Sequence, residues 1–191
     1  IEWRSMREAF ALAENMVINA TDAPDLSQVT DMTYMFRGCK SLNTDLNHWD
    51  VSKVRVMSVM FLDATNFNGD ISRWDVSNVV SMHGMFYRAY YFNQDLGRWD
   101  LRSLRSAVNM LSYSGLSQTN YDNTLIGWAA SGISNIGGVG AHRLEFCAGE
   151  AARNELRSRN VYMYGDRRVC PSPAAPANEL AITQAVPDKP I

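Results

Sequence analysis

Apolar positions along this chain recur every 25 residues. Trp49, Trp74 and Trp99 mark the period, each followed by Asp and then an aliphatic residue. Around them PDLSQV (24–29), WDVSKV (49–54), WDVSNV (74–79) and WDLRSL (99–104) align without a slip. Methionine recurs at Met32, Met57 and Met82 and again at Met35, Met60, Met85 and Met110. An aromatic stands beside the second set at Phe36, Phe61 and Phe86, with Leu111 closing the series. Small residues (Cys39, Ala64, Ala89), large apolar ones (Leu42, Phe67, Phe92), asparagines (Asn43, Asn68, Asn93) and aspartates (Asp45, Asp70, Asp95) fill further columns. A repeat of this length cannot bury its apolar face alone, so each copy is expected to stack on its neighbours.

Within one copy the spacing changes character. Met57, Met60, Phe61 and Ala64 stand at i, i+3, i+4 and i+7, the pattern of one helix face, and Met82, Met85, Phe86 and Ala89 repeat it. An Asn/Gly/Asp turn such as NFNGD (66–70) follows, then an aliphatic segment from Ile71 to Val76 that suits a short strand. Its ladder can run through residues 70–72, through residues 74–76, or bend between them. The fold class expected is a repeat solenoid of the leucine-rich-repeat type, α/β, with one short parallel strand and one short helix per 25-residue coil and a C-terminal α/β cap. Trp49, Trp74, Trp99, Met60, Met85, Phe61 and Phe86 form its repeat core.

The flanks divide the chain. Residues 1–23 read as a degenerate N-terminal coil, because Met6 and Phe10 are spaced like Met32 and Phe36, and Met16 falls where Leu42 does. It either caps the stack or joins further repeats, and a chain opening on Ile1 reads as a fragment. Four 25-residue repeats fill 24–116, and a C-terminal cap spans 117–170. There Ser117 or Thr119 is expected to cap a helix with Tyr121, Leu125 and Trp128 on one face, ending near Gly132. A loop (131–140), a strand from His142 to Phe146, a helix from Gly149 to Arg159 and a strand over 161–164 complete it. Five of the six prolines lie in 171–190, so 171–191 reads as an extended linker or tail.

Charge narrows the partners. Eighteen basic and twenty acidic residues leave a net charge of −2 with no basic block, which speaks against nucleic acid. No apolar run reaches the roughly 18–20 residues that cross a bilayer, so no direct membrane insertion is expected. Cys39 shares the column of Ala64 and Ala89 and is expected to be a buried thiol. Cys147 and Cys170 flank the second cap helix and are disulfide candidates, two unrelated thiols being the alternative; a bond would imply an oxidising compartment.

The segments DLSQVTDMTYMFRGCKSL (25–42), WDVSKVRVMSVMFLDATNFNGDIS (49–72) and WDVSNVVSMHGMFYRAYYFNQDL (74–96) resemble the bacterial surface protein repeat, the BspA-like leucine-rich repeat family also labelled DUF285. EWRSMREAF and DAPDLS are similar to its entry segment, and LSQTNYDNTLIGWAA and FCAGEAARNEL to its cap. The last full coil departs from the pattern at Arg102, Ala107 and Leu111. The resemblance implies an exported or surface-attached protein concerned with adhesion and recognition. It brings no catalytic residues.

Nucleophile elbows, phosphate loops and dinucleotide fingerprints are absent, no cofactor is implied, and His48, His83 and His142 lack metal-ligand spacing. No catalysis and no metal site are expected. The Asp25/Asp50/Asp75/Asp100 and Asp45/Asp70/Asp95 rows suit turn capping, with calcium between coils as the alternative. The candidate for partner binding is the place where coils differ: Tyr87, Arg88, Tyr90 and Tyr91, with Tyr113 one coil later. The function expected is non-catalytic recognition or adhesion at the cell surface or outside the cell, toward a protein, matrix or cell-surface ligand. The alternatives are a structural spacer or a subunit of an assembly of neighbouring copies, and, less favoured, a carbohydrate-binding domain.

Overall fold

The computed structural model describes residues 3–171. Parallel β-bridges link Ser5 to Asp31, Asp31 to Val56, Val56 to Ser81 and Ser81 to Ser106, so equivalent residues of successive coils lie side by side. The column continues into the cap, where Ala107 bridges Val139 of β1 (Gly137–Gly140) and β1 pairs in parallel with β3 (Val161–Tyr164). β2 (Glu145–Phe146) pairs with β4 (Arg167–Arg168) in the same sense. The described residues hold two α-helices, α1 (Gln118–Ala130) and α2 (Glu150–Ser158), both in the cap.

The helix expected in each coil is therefore absent, and the backbone bonding explains why. In the repeat that begins at Trp49 the N–H groups of Met57, Val59, Phe61 and Asp63 donate to Ser81, His83, Met85 and Tyr87 of the next coil. The N–H groups between them close turns three residues back, Met60 to Met57, Leu62 to Val59 and Ala64 to Phe61. An α-helix would aim all of them four residues back. The alternation needs two left-handed residues per coil, at Glu8, Tyr34, Val59, Gly84 and Asn109 in one column and Leu12, Gly38, Asp63, Arg88 and Tyr113 in the other. The spacing i, i+3, i+4, i+7 still turns Met57, Met60, Phe61 and Ala64 inward, all fully buried. The strand expected over 71–76 is likewise displaced: the bridged residues, Val56 and its equivalents, precede these turns, and among the described residues the coils pair through isolated bridges rather than extended strands.

The core is built of columns. Ring centroids of Phe10 and Phe36, Phe36 and Phe61, and Phe61 and Phe86 lie 5.7, 5.5 and 5.7 Å apart, nearly parallel. Phe67 and Phe92 stack beside them at 6.0 Å. Polar ladders run at the margins. The amides of Asn68, Asn93 and Ser117 each donate to the Oδ1 of Asn43, Asn68 and Asn93 respectively, all at 2.8 Å. The indole Nε1 of Trp74 donates to Leu46 O, that of Trp99 to Ile71 O and that of Trp128 to Leu96 O. Helix α1 thus supplies, through Trp128, what a further coil would supply.

The cap is locked by buried polar groups. Ser117 caps α1 through its hydroxyl, while Asp122, 5% exposed, accepts from the amides of Cys147, Ala148 and Gly149 at the start of α2. Asp166, whose carboxylate is fully buried, receives Arg153 in a two-pronged pair at 2.8 Å and the Tyr121 hydroxyl at 2.9 Å. Burial first, then the Asp166 carboxylate, raises the Tyr121 phenol well above its ordinary pKa. Cys147 and Cys170 form a disulfide. The stretch expected to be loop over 131–140 ends in β1, and the strand expected from His142 shrinks to β2. Of the tail expected over 171–191, all but residue 171 lies outside the described residues.

Candidate functional site

The second left-handed column generates the outer face. The N–H groups of Leu12, Gly38, Asp63, Arg88, Tyr113 and Arg143 donate in turn to Arg37, Leu62, Tyr87, Ser112, His142 and Gly165. Arg143 has φ 72°, so residues 140–143 of the cap repeat the coil geometry although 30 residues, not 25, separate Arg143 from Tyr113. A left-handed residue in this column projects outward, and the column reads Asp63, Arg88, Tyr113, Arg143 along the surface. The residue before each, Leu62, Tyr87, Ser112 or His142, stands beside it.

Tyr87, Arg88, Tyr90 and Tyr113 meet Arg143 around a cleft of about 220 Å3. An adjoining hollow of about 590 Å3 is lined by Tyr113, His142, Arg143, Gly165 and Arg167, so the two share Tyr113 and Arg143. A third, of about 360 Å3, continues past Arg88 and Tyr90 toward Arg37 and Lys40. The aromatic rings are fixed against one another. Tyr87 meets Tyr113 edge-on at 5.5 Å, Tyr113 stacks on His142 at 5.8 Å, and His142 meets Tyr164 edge-on at 5.4 Å. Gly165 allows this closeness, since a Cβ there would sit 2.5 Å from the His142 ring.

The cations differ in what holds them. Arg88 pairs with Asp63 at 3.2 Å and donates to the Tyr90 hydroxyl at 3.0 Å; the hydroxyl first and the carboxylate second raise its pKa further. Arg167 pairs with Glu145. Arg143 lies over the Tyr113 ring at 5.7 Å and has no carboxylate partner among the described residues. A guanidinium over an aromatic face with no acid beside it offers its N–H groups to an incoming anion.

Four of the five partner-binding candidates are thus brought together. Tyr91 is not: it is 67% exposed and lines none of these hollows. His142, Arg143 and Arg167 join the site without a sequence signal, because the longer final step takes them out of the 25-residue alignment.

The aspartate rows are engaged by backbone amides: Asp70 and Asp95 accept two residues on, and Asp45 accepts across coils from the amide of Asp70. The Oδ1 atoms of Asp25, Asp50, Asp75 and Asp100 accept from the amides two residues on, at 3.0–3.1 Å. Hydrogen bonds from the Ser27 and Ser52 side chains first, and from their amides second, hold the Asp25 and Asp50 carboxyls below their ordinary pKa; Asp100 is lowered first by the Arg102 side chain. Among the described residues no group of three or more His, Cys, Asp or Glu is placed to hold a metal ion. No helix there is long and apolar enough to cross a membrane.

Residues 4–128 match the family described as Mycoplasma protein of unknown function, DUF285. The match ends at Trp128, the last indole of the tryptophan ladder. No curated protein and no solved structure matches the chain.

Proposed function

The chain belongs to the DUF285 family, for which no activity is described, and from that premise we propose that it is a non-catalytic recognition module of the BspA-like kind, a capped solenoid that binds a protein partner. Its binding face is the groove of Tyr87, Arg88, Tyr90, Tyr113, His142 and Arg143. The observation that carries this reading is the pre-set stack of Tyr87, Tyr113 and His142 beside an arginine with no acidic partner. Tyrosine supplies large contact area at little cost in side-chain order and arginine several directed hydrogen bonds, and both are enriched at the centres of protein interfaces. Arg143, without a carboxylate partner among the described residues, selects a partner that presents one. The Cys147–Cys170 disulfide supports an oxidising, extracytoplasmic setting, and adhesion to a cell or matrix surface is the corresponding role.

The full chain, immobilised, is expected to capture proteins from a cell-surface or matrix extract saturably. A Tyr87→Ser/Tyr113→Ser/Arg143→Ser variant with unchanged melting should lose at least tenfold in affinity, since a single hot-spot truncation of about 2 kcal/mol already exceeds that. Equal capture by the variant would refute the assignment of this face. Capture abolished by free glycans but not by protease treatment of the extract would replace the protein partner with a carbohydrate.

A further inference from the structure

The three hollows of the outer face form one line. The upstream one shares Arg88 and Tyr90 with the central cleft, and the cleft shares Tyr113 and Arg143 with the downstream one. The line follows the solenoid axis, because successive members of one surface column lie on successive layers: Gly38 donates its N–H to Leu62 O, Asp63 to Tyr87 O, Arg88 to Ser112 O and Tyr113 to His142 O.

The cations on this line are evenly spaced. Counting layers from Gly38 through Asp63, Arg88 and Tyr113 to Arg143, the arginines Arg37, Arg88 and Arg143 fall on the first, third and fifth. Parallel neighbours lie about 5 Å apart, so these positions recur about every 10 Å. The acids along the line are each answered locally, Glu14 by Lys40 at 2.7 Å, Asp63 by Arg88 at 3.2 Å, and Glu145 by Arg167. Arg37 and Arg143 have no carboxylate partner among the described residues, and each lies over a tyrosine ring, Tyr34 at 5.5 Å and Tyr113 at 5.7 Å. The line therefore keeps an unanswered positive charge toward each end. Between them Arg88 is exchangeable, since an exposed pair such as Arg88–Asp63 contributes little and yields to a better-placed acid.

That pitch selects a backbone. Three residues of a polyproline II helix advance about 9 Å and complete one turn, so side chains at i, i+3 and i+6 share a side at nearly the spacing of the arginines. Same-side residues of an extended strand fall about 7 or 13 Å apart, which misses it. We propose that the line of hollows takes a polyproline II segment of the protein partner with a carboxylate at every third position, its acids meeting Arg37, Arg88 and Arg143. This rests on the reading of the Tyr87–Arg143 groove as the binding face and extends it two coils upstream. Aromatic-lined grooves take such segments because the helix is already formed and loses little order on binding. An acidic polysaccharide is the nearest rival. Tyr34, however, already carries Arg7 and Arg37 on its ring, and Tyr113 carries His142 and Arg143, so neither ring face is bare for a sugar to stack on.

The probe is a capped, fluorescein-labelled peptide of three Glu-Pro-Pro units, titrated into the full-length chain and followed by anisotropy. Saturable binding is expected, weakening as salt rises. Arg37→Gln and Arg143→Gln should each weaken it about threefold with unchanged melting, and together about tenfold, since sites this far apart act independently. Asp63→Asn, which suits the left-handed backbone there, releases Arg88 and should tighten binding about twofold. A peptide of the same composition with its three Glu consecutive, and one with Gln for each Glu, should both bind at least tenfold more weakly. The proposal is overturned if either control binds as well as the probe, or if Arg37→Gln leaves the affinity unchanged. It is equally overturned if a peptide with Ala for every Pro binds as well, since a helix would then be the occupant, or if a linear polyuronate displaces the probe at lower concentration than unlabelled peptide does. These outcomes leave standing the capture of a partner from extract through Tyr87, Tyr113 and Arg143. Capture that ignores those three residues would instead remove the groove, and this inference with it.

Discussion

Each residue column makes one demand, and the left-handed columns make the sharpest. Gly84 has φ +58°, and a Cβ there would stand 3.0 Å from the Val59 Cγ1 one coil upstream. Gly84→Ala is expected to cost about 1–2 kcal/mol, read as a lower midpoint in urea unfolding with an unchanged slope. Carboxylates give a pH signature. Asp25, Asp50, Asp70 and Asp100 are held below their ordinary 3.8 by the amides and side chains they accept from. Groups whose folded pKa is depressed stabilise above the unfolded value and lose that contribution as pH falls through the folded one. Stability should therefore hold from pH 7 to about 5 and decline below about 4. Replacing all four by Asn, which keeps the acceptor oxygen, should flatten that decline in a series of thermal melts. An unaltered acid limb would assign it to other carboxylates. The buried Cys39 thiol, pushed up to about 11 by burial, adds a simple count. Without reductant the native protein should expose no thiol to a disulfide reagent at pH 8, one after unfolding, and all three after reduction.

At the scale of elements, what was legible was burial, and what was not was backbone path. The columns of Met, Phe, Ala and Trp named the interior correctly because side-chain direction depends only on position within the period. Helix-like spacing misassigned the coil because two left-handed residues per turn deliver the same inward face by another route. Nothing in the side chains of Val59 or Arg88 advertises that conformation; Gly38 and Gly84, and more weakly Asp63 and Asn109, hint at it. Helix α1 was legible because Ser117 caps a conventional apolar face. Its docking was not, since it depends on contact between distant residues. A Cβ on Gly127 would lie 2.3 Å from Gly97 O. Gly to Ala inside a helix ordinarily stabilises by about 0.5–1 kcal/mol. Here overpacking of about 1–3 kcal/mol wins, so Gly127→Ala should lower the melting temperature, whereas Asn123→Ala, on the exposed side of the same helix, should not. Breaking the Arg153–Asp166 pair by Asp166→Asn leaves the guanidinium without its charge partner and the Tyr121 hydroxyl with a poorer acceptor. A loss of about 2–4 kcal/mol is expected, well above that of the exposed Arg102–Asp100 pair treated alike.

For the molecule as a whole, the proposed solenoid makes a demand that a globular core does not: length can change by whole coils and by nothing else. Each coil bonds only to its neighbours, and coil n meets coil n+1 through the same columns at every junction. Removing residues 50–74 joins Trp49 to Asp75 and restores every column, with Leu46 O taking over from Ile71 O as the acceptor for Trp99 Nε1. One junction and one set of buried Met and Phe side chains are lost, so stability falls, yet the shortened chain should melt cooperatively, as nearest-neighbour stacks do. Removing residues 50–69 discards less chain but shifts every downstream column by five positions, setting polar turn residues against the phenylalanine stack. That protein should show no cooperative transition and should expose its tryptophans to a fluorescence quencher. The rings of Tyr87, Tyr113 and His142 and the Arg143 guanidinium lie wholly downstream of the cut, and the deletion takes from the site only Asp63, whose exposed pair with Arg88 is worth little, so the 25-residue deletion should also keep partner binding within about threefold of the intact chain. Were the two deletions to behave alike, the repeats would not be interchangeable layers, and the reading of the binding face as a column on such layers would fail with them.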